Sequence, residues 1–86
     1  MPTLSVFYGI IVKLNSGNEH NPPHVHVFYS GKEASFDFNG KLLAGRLPTK
    51  QTALMKAWIL LHQDELFADW ELAKQGEEVL KIKPLQ

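Results

Sequence analysis

The segment HVHVFYSGKEASFDFNGKLLAGR, residues 24–46, predicts the central fold of this chain because it places two turn sequences between three extended runs. Asn39-Gly40 is the strongest short-range hairpin signal, and Ser30-Gly31 is a weaker one. Between the two turns, residues 33–38 alternate polar and apolar side chains, which is typical of a half-buried strand. We therefore predict three antiparallel strands, at residues 24–29, 33–38 and 41–47.

Two-residue turns at these positions also predict which residues pair across the strands. The first turn pairs His24 with Asp37 and His26 with Ser35. The second pairs Phe36 with Leu43, and it sets the opposite charges of Glu33 and Arg46 against each other. Both hairpins then agree on the two faces. The apolar face carries Val25, Val27, Ala34, Phe36 and Leu43. The polar face carries His24, His26, Glu33, Ser35, Asp37 and Arg46.

The residues on either side of this segment complete the prediction of an α+β fold. Residues 5–14 are almost continuously apolar, so we expect one strand covered on both faces, with Gly9 at a bulge or close backbone approach. Residues 15–23 form a loop, because Asn-Pro-Pro does not fit a β-ladder. About four strands thus make an antiparallel sheet, and residues 1–86 form a single domain.

The C-terminal half predicts the helical layer that covers one face of the sheet. Pro48 begins a helix, and Gly76 ends the helical segment. We expect either one long bent helix or two helices that break at residues 62–64, followed by a short closing strand at residues 79–85. The predicted apolar stripe comprises Leu54, Ala57, Trp58, Leu61, Leu66, Trp70 and Ala73.

Composition narrows the classes of function. Nine basic and nine acidic residues give a net charge of zero, so no broad positive field favours non-specific nucleic-acid binding, although a local basic patch remains open. The chain contains no cysteine, which removes disulfides and thiolate chemistry and suits the cytoplasm. The first apolar run is too short to cross a membrane, and no Lys or Arg precedes it as in a signal peptide.

The polar face suggests a metal site. His24 and His26 are two residues apart on a strand, so both imidazoles project from the same face. Asp37, opposite His24, would add a carboxylate, and two histidines with a carboxylate can hold a divalent metal at an open site. Glu19 or His20 in the preceding loop would complete the set.

The same residues also suit metal-free chemistry. His24 and His26 would serve as base and acid in cleaving RNA through its 2′-hydroxyl, with Asp37 orienting His24. Arg46 or Lys13 would stabilise the charge that develops on the phosphate. In a third interpretation the histidines are structural: polar residues tolerated on an open face, with His24 bonding the backbone of the 15–21 loop.

The aromatic and histidine residues of the helical segment have simpler interpretations. Trp58 and Trp70 are most simply core residues, and His62 is expected to be a partly buried hydrogen-bonding residue. Because Trp70 lies between Asp69 and Glu71, the alternative for this residue is a position at the rim of the core. An exposed tryptophan there would suit a protein interface, so Trp70 is a candidate partner-binding residue.

Several of these segments together resemble a known family. The opening MPTLSVFYGI, the segment EHNPPHVHV at residues 19–27, and the helical LHQDEL and DWELA resemble the prokaryotic family called domain of unknown function 4160. The family's signature positions map here onto His20, Asn21, Pro22, Pro23, His24, His26, His62, Trp70, Glu71, Leu72 and Ala73. The resemblance brings no established activity and no assigned residue roles.

The resemblance implies a particular arrangement of neighbouring genes. Members resemble one half of small two-gene modules that have been interpreted as toxin–antitoxin-like. We therefore expect a cytoplasmic component of such a bacterial module, with a small protein partner encoded nearby and a histidine-bearing face that binds or cleaves nucleic acid. The alternatives are a non-catalytic, antitoxin-type protein-binding module that uses an exposed face or edge strand, or a small metal-dependent hydrolase.

Overall fold

The structure is a computed structural model that describes residues 2–14 and 22–86. In the described residues, an antiparallel sheet precedes two helices, so the predicted α+β fold is confirmed. The strands are β1 (Thr3–Phe7), β2 (Ile10–Lys13), β3 (His24–Tyr29), β4 (Lys32–Asp37) and β5 (Leu42–Gly45). The helices are α1 (Thr49–Leu61) and α2 (Gln63–Lys74).

The sheet has the order β1-β2-β3-β4-β5, with every neighbouring pair antiparallel. The prediction of one strand over residues 5–14 is wrong, because Tyr8 and Gly9 form a turn that pairs Phe7 with Ile10. Both turn residues have positive φ, 50° and 78°, as the turns of tight hairpins require. Apolar residues on both sides of the turn face the core, so the sequence shows no break there.

The predicted β3–β4 register is confirmed throughout. His24 pairs with Asp37, His26 with Ser35, and Tyr29 with Lys32. Ser30 and Gly31, with φ of 48° and 80°, make the two-residue turn that sets this register.

The β4–β5 register follows the prediction only in part. Ser35 pairs with Ala44, but Phe36 pairs with Leu42 instead of Leu43, because a bulge interrupts the ladder. The turn is wider than two residues, since the Asp37 amide donates to the Lys41 carbonyl at 2.9 Å. As a result Leu43 is 39% exposed and does not lie on the core face, where it was predicted.

Both helices pack on the apolar face of the sheet. In α1 the buried residues are Met55, Trp58 and Ile59, whereas Ala57 and Leu61 are exposed, so that part of the predicted stripe is wrong. In α2 the predicted positions are buried as expected: Leu66, Trp70 and Ala73. Trp58 lies against Phe7 of β1, with ring centroids 5.5 Å apart, which connects α1 to the sheet.

The helix boundaries follow the sequence signals. Pro48 is the residue before α1, and the helices separate at His62, so the two-helix alternative is correct. Gly76 has φ of 75°, and the Glu77 amide donates to the Leu72 carbonyl at 2.8 Å, which is a Schellman-type end to α2.

The C-terminal segment lies beside β1 without forming the predicted strand at residues 79–85. The Ile82 amide donates to the Leu4 carbonyl at 2.9 Å, and the Trp58 indole N–H donates to the Lys83 carbonyl at 2.9 Å. Across the described ranges, 2–14 and 22–86, no helix has the length and hydropathy needed to cross a membrane.

Candidate functional site

His24 and His26 lie side by side on β3, as their spacing predicts. Both are partly exposed, and their ring centroids are 5.0 Å apart with an interplanar angle of 66°. Since side chains two apart on a strand share a face, the pairing follows from the strand itself. The two imidazoles therefore form a histidine pair at the β2–β3 loop end of the sheet.

The ring of His24 is held from two sides. Its Nδ1 lies 2.9 Å from the Pro22 carbonyl, which can only accept, so Nδ1 carries the hydrogen and Nε2 keeps its lone pair in the neutral ring. On the other side, the ring lies 5.9 Å from the ring of Trp70. The geometry agrees with the predicted bond from His24 to the loop backbone, but the acceptor is Pro22, just beyond residues 15–21.

Asp37 lies across from His24, but its carboxylate is bonded in the β4–β5 turn. Oδ1 accepts the amides of Asn39 and Lys41, each at 2.9 Å. This pattern is an Asx-type turn, in which a short carboxylate satisfies the amides that the wide turn leaves without carbonyl partners. Asp37 thus has a clear structural role in the turn.

The described members of the predicted metal set do not form a three-ligand site. Among residues 2–14 and 22–86, no group of three or more His, Cys, Asp or Glu side chains could hold a metal ion. The set His24, His26 and Asp37 therefore does not qualify, in keeping with the engagement of Asp37 by the turn. Glu19 and His20, the remaining candidate ligands, lie outside the described residues.

The two basic candidates occupy different places. Lys13 is the cross-strand partner of His26, and its Nζ lies 5.6 Å from the centroid of the Phe28 ring. Arg46 follows β5, two strands away from β3, and lines a different groove. Strands are spaced by about 4.8 Å, so Lys13 is the better placed of the two to act beside the histidines.

Trp70 is buried, which confirms the prediction of a core residue, and the alternative position at the rim is wrong. It is 6% exposed and packs edge-on against Phe38, with ring centroids 5.9 Å apart. Its partner-binding role stays a prediction that no exposed surface supports. The contact with His24 instead makes Trp70 the link between the histidine pair and α2.

His62 matches the prediction of a partly buried hydrogen-bonding residue. Its Nδ1 lies 2.5 Å from Oε1 of Glu65, and its ring lies 5.4 Å from that of Trp58.

The structure also reveals an exposed edge that sequence reasoning did not identify. All four residues of β5 are exposed, including Leu42 at 38%. Beside this strand runs a groove of about 680 Å³ against α1. Its wall includes Leu42, Arg46, Leu47, Thr52 and Lys56. The adjacent Leu42 and Leu43 were the sequence signal for this exposed edge, but the predicted register had placed Leu43 on the core face.

The open face of the sheet is less polar than predicted. Val6, Ile11 and Phe28 align across β1, β2 and β3, and Val6 is 55% exposed. An apolar strip therefore lies alongside the histidine pair. The sequence did not show it, because residues 5–14 were interpreted as a single strand covered on both faces.

Asp69 is the one buried acidic residue identified in the described part of the chain. Its Oδ1 accepts the Leu80 amide at 3.0 Å, while Oδ2 has no hydrogen-bond partner. Burial raises the pKa of this carboxyl, the bond from Leu80 opposes the rise, and nearby Glu65 adds to it. Asp69 attaches the C-terminal segment to α2.

Comparison with known protein families identifies the family of this chain. The family model for a domain of unknown function, DUF4160, matches residues 9–71, which include the histidine pair, β5, α1 and most of α2. No curated protein and no solved structure matches the sequence. With most of its length matched, the chain belongs to the family described as domain of unknown function DUF4160.

Proposed function

We propose that this chain is the cytoplasmic, partner-binding component of a small bacterial two-gene, toxin–antitoxin-like module, and that it binds its partner by strand addition at β5. The observation that carries the proposal is the exposure of the whole of β5 at the end of the sheet. In the described part of the chain, β5 pairs only with β4.

Strand addition follows from the chemistry of an edge. The outer side of an edge strand presents backbone N–H and C=O groups that can pair with another chain. Exposed Leu42 and Leu43 add apolar surface beside those groups. A partner strand would gain main-chain hydrogen bonds and side-chain contacts together, as in known cases of β-augmentation.

The groove beside β5 indicates the chemistry of the partner. Arg46 and Lys56 contribute two positive charges to its wall, and the lining includes no acidic residue. Leu42 and Leu47 contribute apolar surface. The partner segment is therefore an extended one, with acidic and apolar side chains, from the small protein encoded nearby.

The test is a binding measurement with the protein encoded by the neighbouring gene. Arg46→Glu places a negative charge in the groove and is expected to weaken binding at least tenfold, because like charges across an interface oppose association. Leu43→Lys adds an edge charge of the kind that blocks strand pairing. Lys81→Glu, an exposed charge reversal beside β1 at the opposite edge of the sheet, is the matched control and is expected to bind like the parent.

Folding of each variant is checked by thermal unfolding before binding is compared. If soluble, folded Arg46→Glu and Leu43→Lys bind as tightly as the parent, strand addition at β5 is wrong. If the neighbouring protein does not bind the parent at all, the two-gene proposal fails with it.

The histidine pair supports a second candidate function, acid–base cleavage of RNA. The bond from His24 Nδ1 to Pro22 leaves Nε2 of that ring able to accept a proton. His24 would take the proton of the 2′-hydroxyl, His26 would protonate the leaving 5′-oxygen, and Lys13 would balance the phosphate charge. Metal-dependent hydrolysis is not proposed, since the described residues offer no three-ligand set.

This second function is tested by inducing the chain alone in a bacterial host and then assaying RNA cleavage. His24→Asn keeps a donor for the Pro22 carbonyl but removes proton transfer, and it is combined with His26→Gln. The double variant is expected to abolish growth arrest and cleavage, whereas His62→Ala, on the helical side, is expected to retain both. Cleavage by the folded double variant at the parent's rate would rule the candidate out.

A further inference from the structure

A cleft lies at the end of the sheet opposite the β2–β3 loop, and it has no part in the functions proposed above. It lies where the β1–β2 and β3–β4 turns approach the first turns of α1, and its volume is about 570 Å³. This volume falls within the range of small-molecule sites. Its lining includes Tyr8, Tyr29, Lys50, Gln51, Leu54 and Leu85.

Tyr8 is an unusual residue for its position. It has φ of 50° and is 59% exposed, although the first position of such a turn normally takes Asn, Asp or Gly. A bulky side chain in the left-handed region is strained, and such strain concentrates at functional sites. The ring is nevertheless positioned, because it lies edge-on to Phe7 with centroids 6.4 Å apart.

Tyr29 provides a second aromatic surface. It is partly buried and packs against the core. A Cβ added at Gly9 would lie 3.4 Å from Cε1 of the Tyr29 ring, so the β1–β2 turn passes close beside that ring. The cleft therefore holds two phenol rings whose positions are set by their neighbours.

The one charged side chain in the lining of the cleft is basic, which favours a negatively charged ligand. Lys50 is exposed, and Gln86 completes the lining, which has no acidic side chain. Gln51 offers both a donor and an acceptor, which matches the edge of a heteroaromatic ring. Leu54 and Leu85 supply apolar surface for the planar part of the ligand.

We propose that this cleft binds a planar heteroaromatic anion of the nucleoside monophosphate class. The base packs against Tyr8 and Tyr29, and Lys50 pairs with the phosphate. Aromatic side chains bind nucleobases by stacking, which is tolerant of base identity. The cleft is thus a ligand site separate from the β5 edge and from the histidine pair.

The test is to titrate the full chain separately with adenosine monophosphate, adenosine and inorganic phosphate. Changes in the backbone amide NMR chemical shifts report binding. Tyr8→Asn is the sharpest variant, because it removes the ring and creates Asn-Gly, the preferred sequence for this turn. We expect the parent to bind the monophosphate saturably and Tyr8→Asn to bind it at least about tenfold more weakly. The unfolding temperature of Tyr8→Asn is expected to equal or exceed that of the parent. Lys50→Gln is expected to reduce monophosphate affinity to that of adenosine.

Three results would overturn the proposal. The first is a parent chain that shows no saturable shift with the monophosphate. The second is folded Tyr8→Asn that binds as the parent does. The third is equal affinity for adenosine and the monophosphate, which would remove the role of Lys50.

Discussion

His24 and Asp37 are cross-strand partners on β3 and β4, yet each side chain bonds to backbone at the same end of the sheet. His24 Nδ1 donates to the Pro22 carbonyl, and Asp37 Oδ1 accepts the amides of Asn39 and Lys41. The pair therefore stabilises the loop entering β3 and the turn leaving β4. Both side chains thus have structural partners at this end of the sheet.

Asp37→Ala is expected to lower the free energy of unfolding by about 1–3 kcal/mol, because two turn amides lose their acceptor. Asp37→Asn keeps an acceptor oxygen in the same place, so its loss is expected to be smaller than about 1 kcal/mol. Urea denaturation of both variants checks this. Equal losses in the two would mean that the negative charge of Asp37, and not its turn bonds, provides the stability.

Gly45→Ala is expected to be among the most damaging single changes in the chain. Gly45 has φ of 72°, and an added Cβ would lie close enough to the Glu33 carbonyl oxygen to force the β4–β5 pair apart. Backbone strain and overpacking together predict a loss of about 2–5 kcal/mol in unfolding free energy.

Gly31→Ala is the matched control for that change. Gly31 also has positive φ, 80°, but nothing lies within 4 Å of an added Cβ. Its loss is expected to reflect strain alone, about 1 kcal/mol. Comparable losses for Gly45→Ala and Gly31→Ala would contradict the close approach of β5 to the Glu33 carbonyl.

Asp69 is expected to make the folded state less favourable as pH rises. Its pKa is raised in the folded state above the ordinary value of 3.8, chiefly by burial, so the folded chain binds more protons than the unfolded chain between the two pKa values. This carboxyl's contribution to stability is therefore fully present below pH 3.8 and is lost as pH rises through the folded pKa. Asp69→Asn keeps an acceptor for the Leu80 amide and removes the ionisation.

The measurement is the difference in unfolding free energy between Asp69→Asn and the parent, taken from pH 4 to pH 8. We expect the unfolding free energy of Asp69→Asn to increase relative to that of the parent as pH rises. A flat difference for Asp69→Asn over this pH range would contradict the raised pKa of the Asp69 carboxyl.

Trp58→Phe is expected to loosen the C-terminal segment. The substitution removes the indole N–H that donates to the Lys83 carbonyl, so about 1–3 kcal/mol of stability should be lost. Hydrogen exchange of the Ile82 amide, which donates to Leu4, reports the local opening. Exchange at Ile82 should accelerate more than exchange of the β3 amides; uniform acceleration would show a global effect instead.

Local signals in the sequence determined a large part of this structure. The Ser30-Gly31 turn and the alternation that follows it predicted the complete β3–β4 register, and with it the neighbouring positions of His24 and His26. Gly76 predicted the end of α2, because a residue with positive φ there favours glycine. These features depend on the backbone conformations of a few adjacent residues, and the preferences of those residues can be inferred from the sequence.

Tertiary structure alone decided the contact of Trp70 with His24, the exposure of β5 and the engagement of Asp37 by its turn. The apolar stripe predicted that Trp70 faces the core, but the rings that it contacts depend on how α2 packs against the sheet. The turn at Tyr8 was hidden because core packing places apolar residues on both sides of it. Burial and side-chain partners come from contacts between distant segments, so local sequence patterns do not determine them.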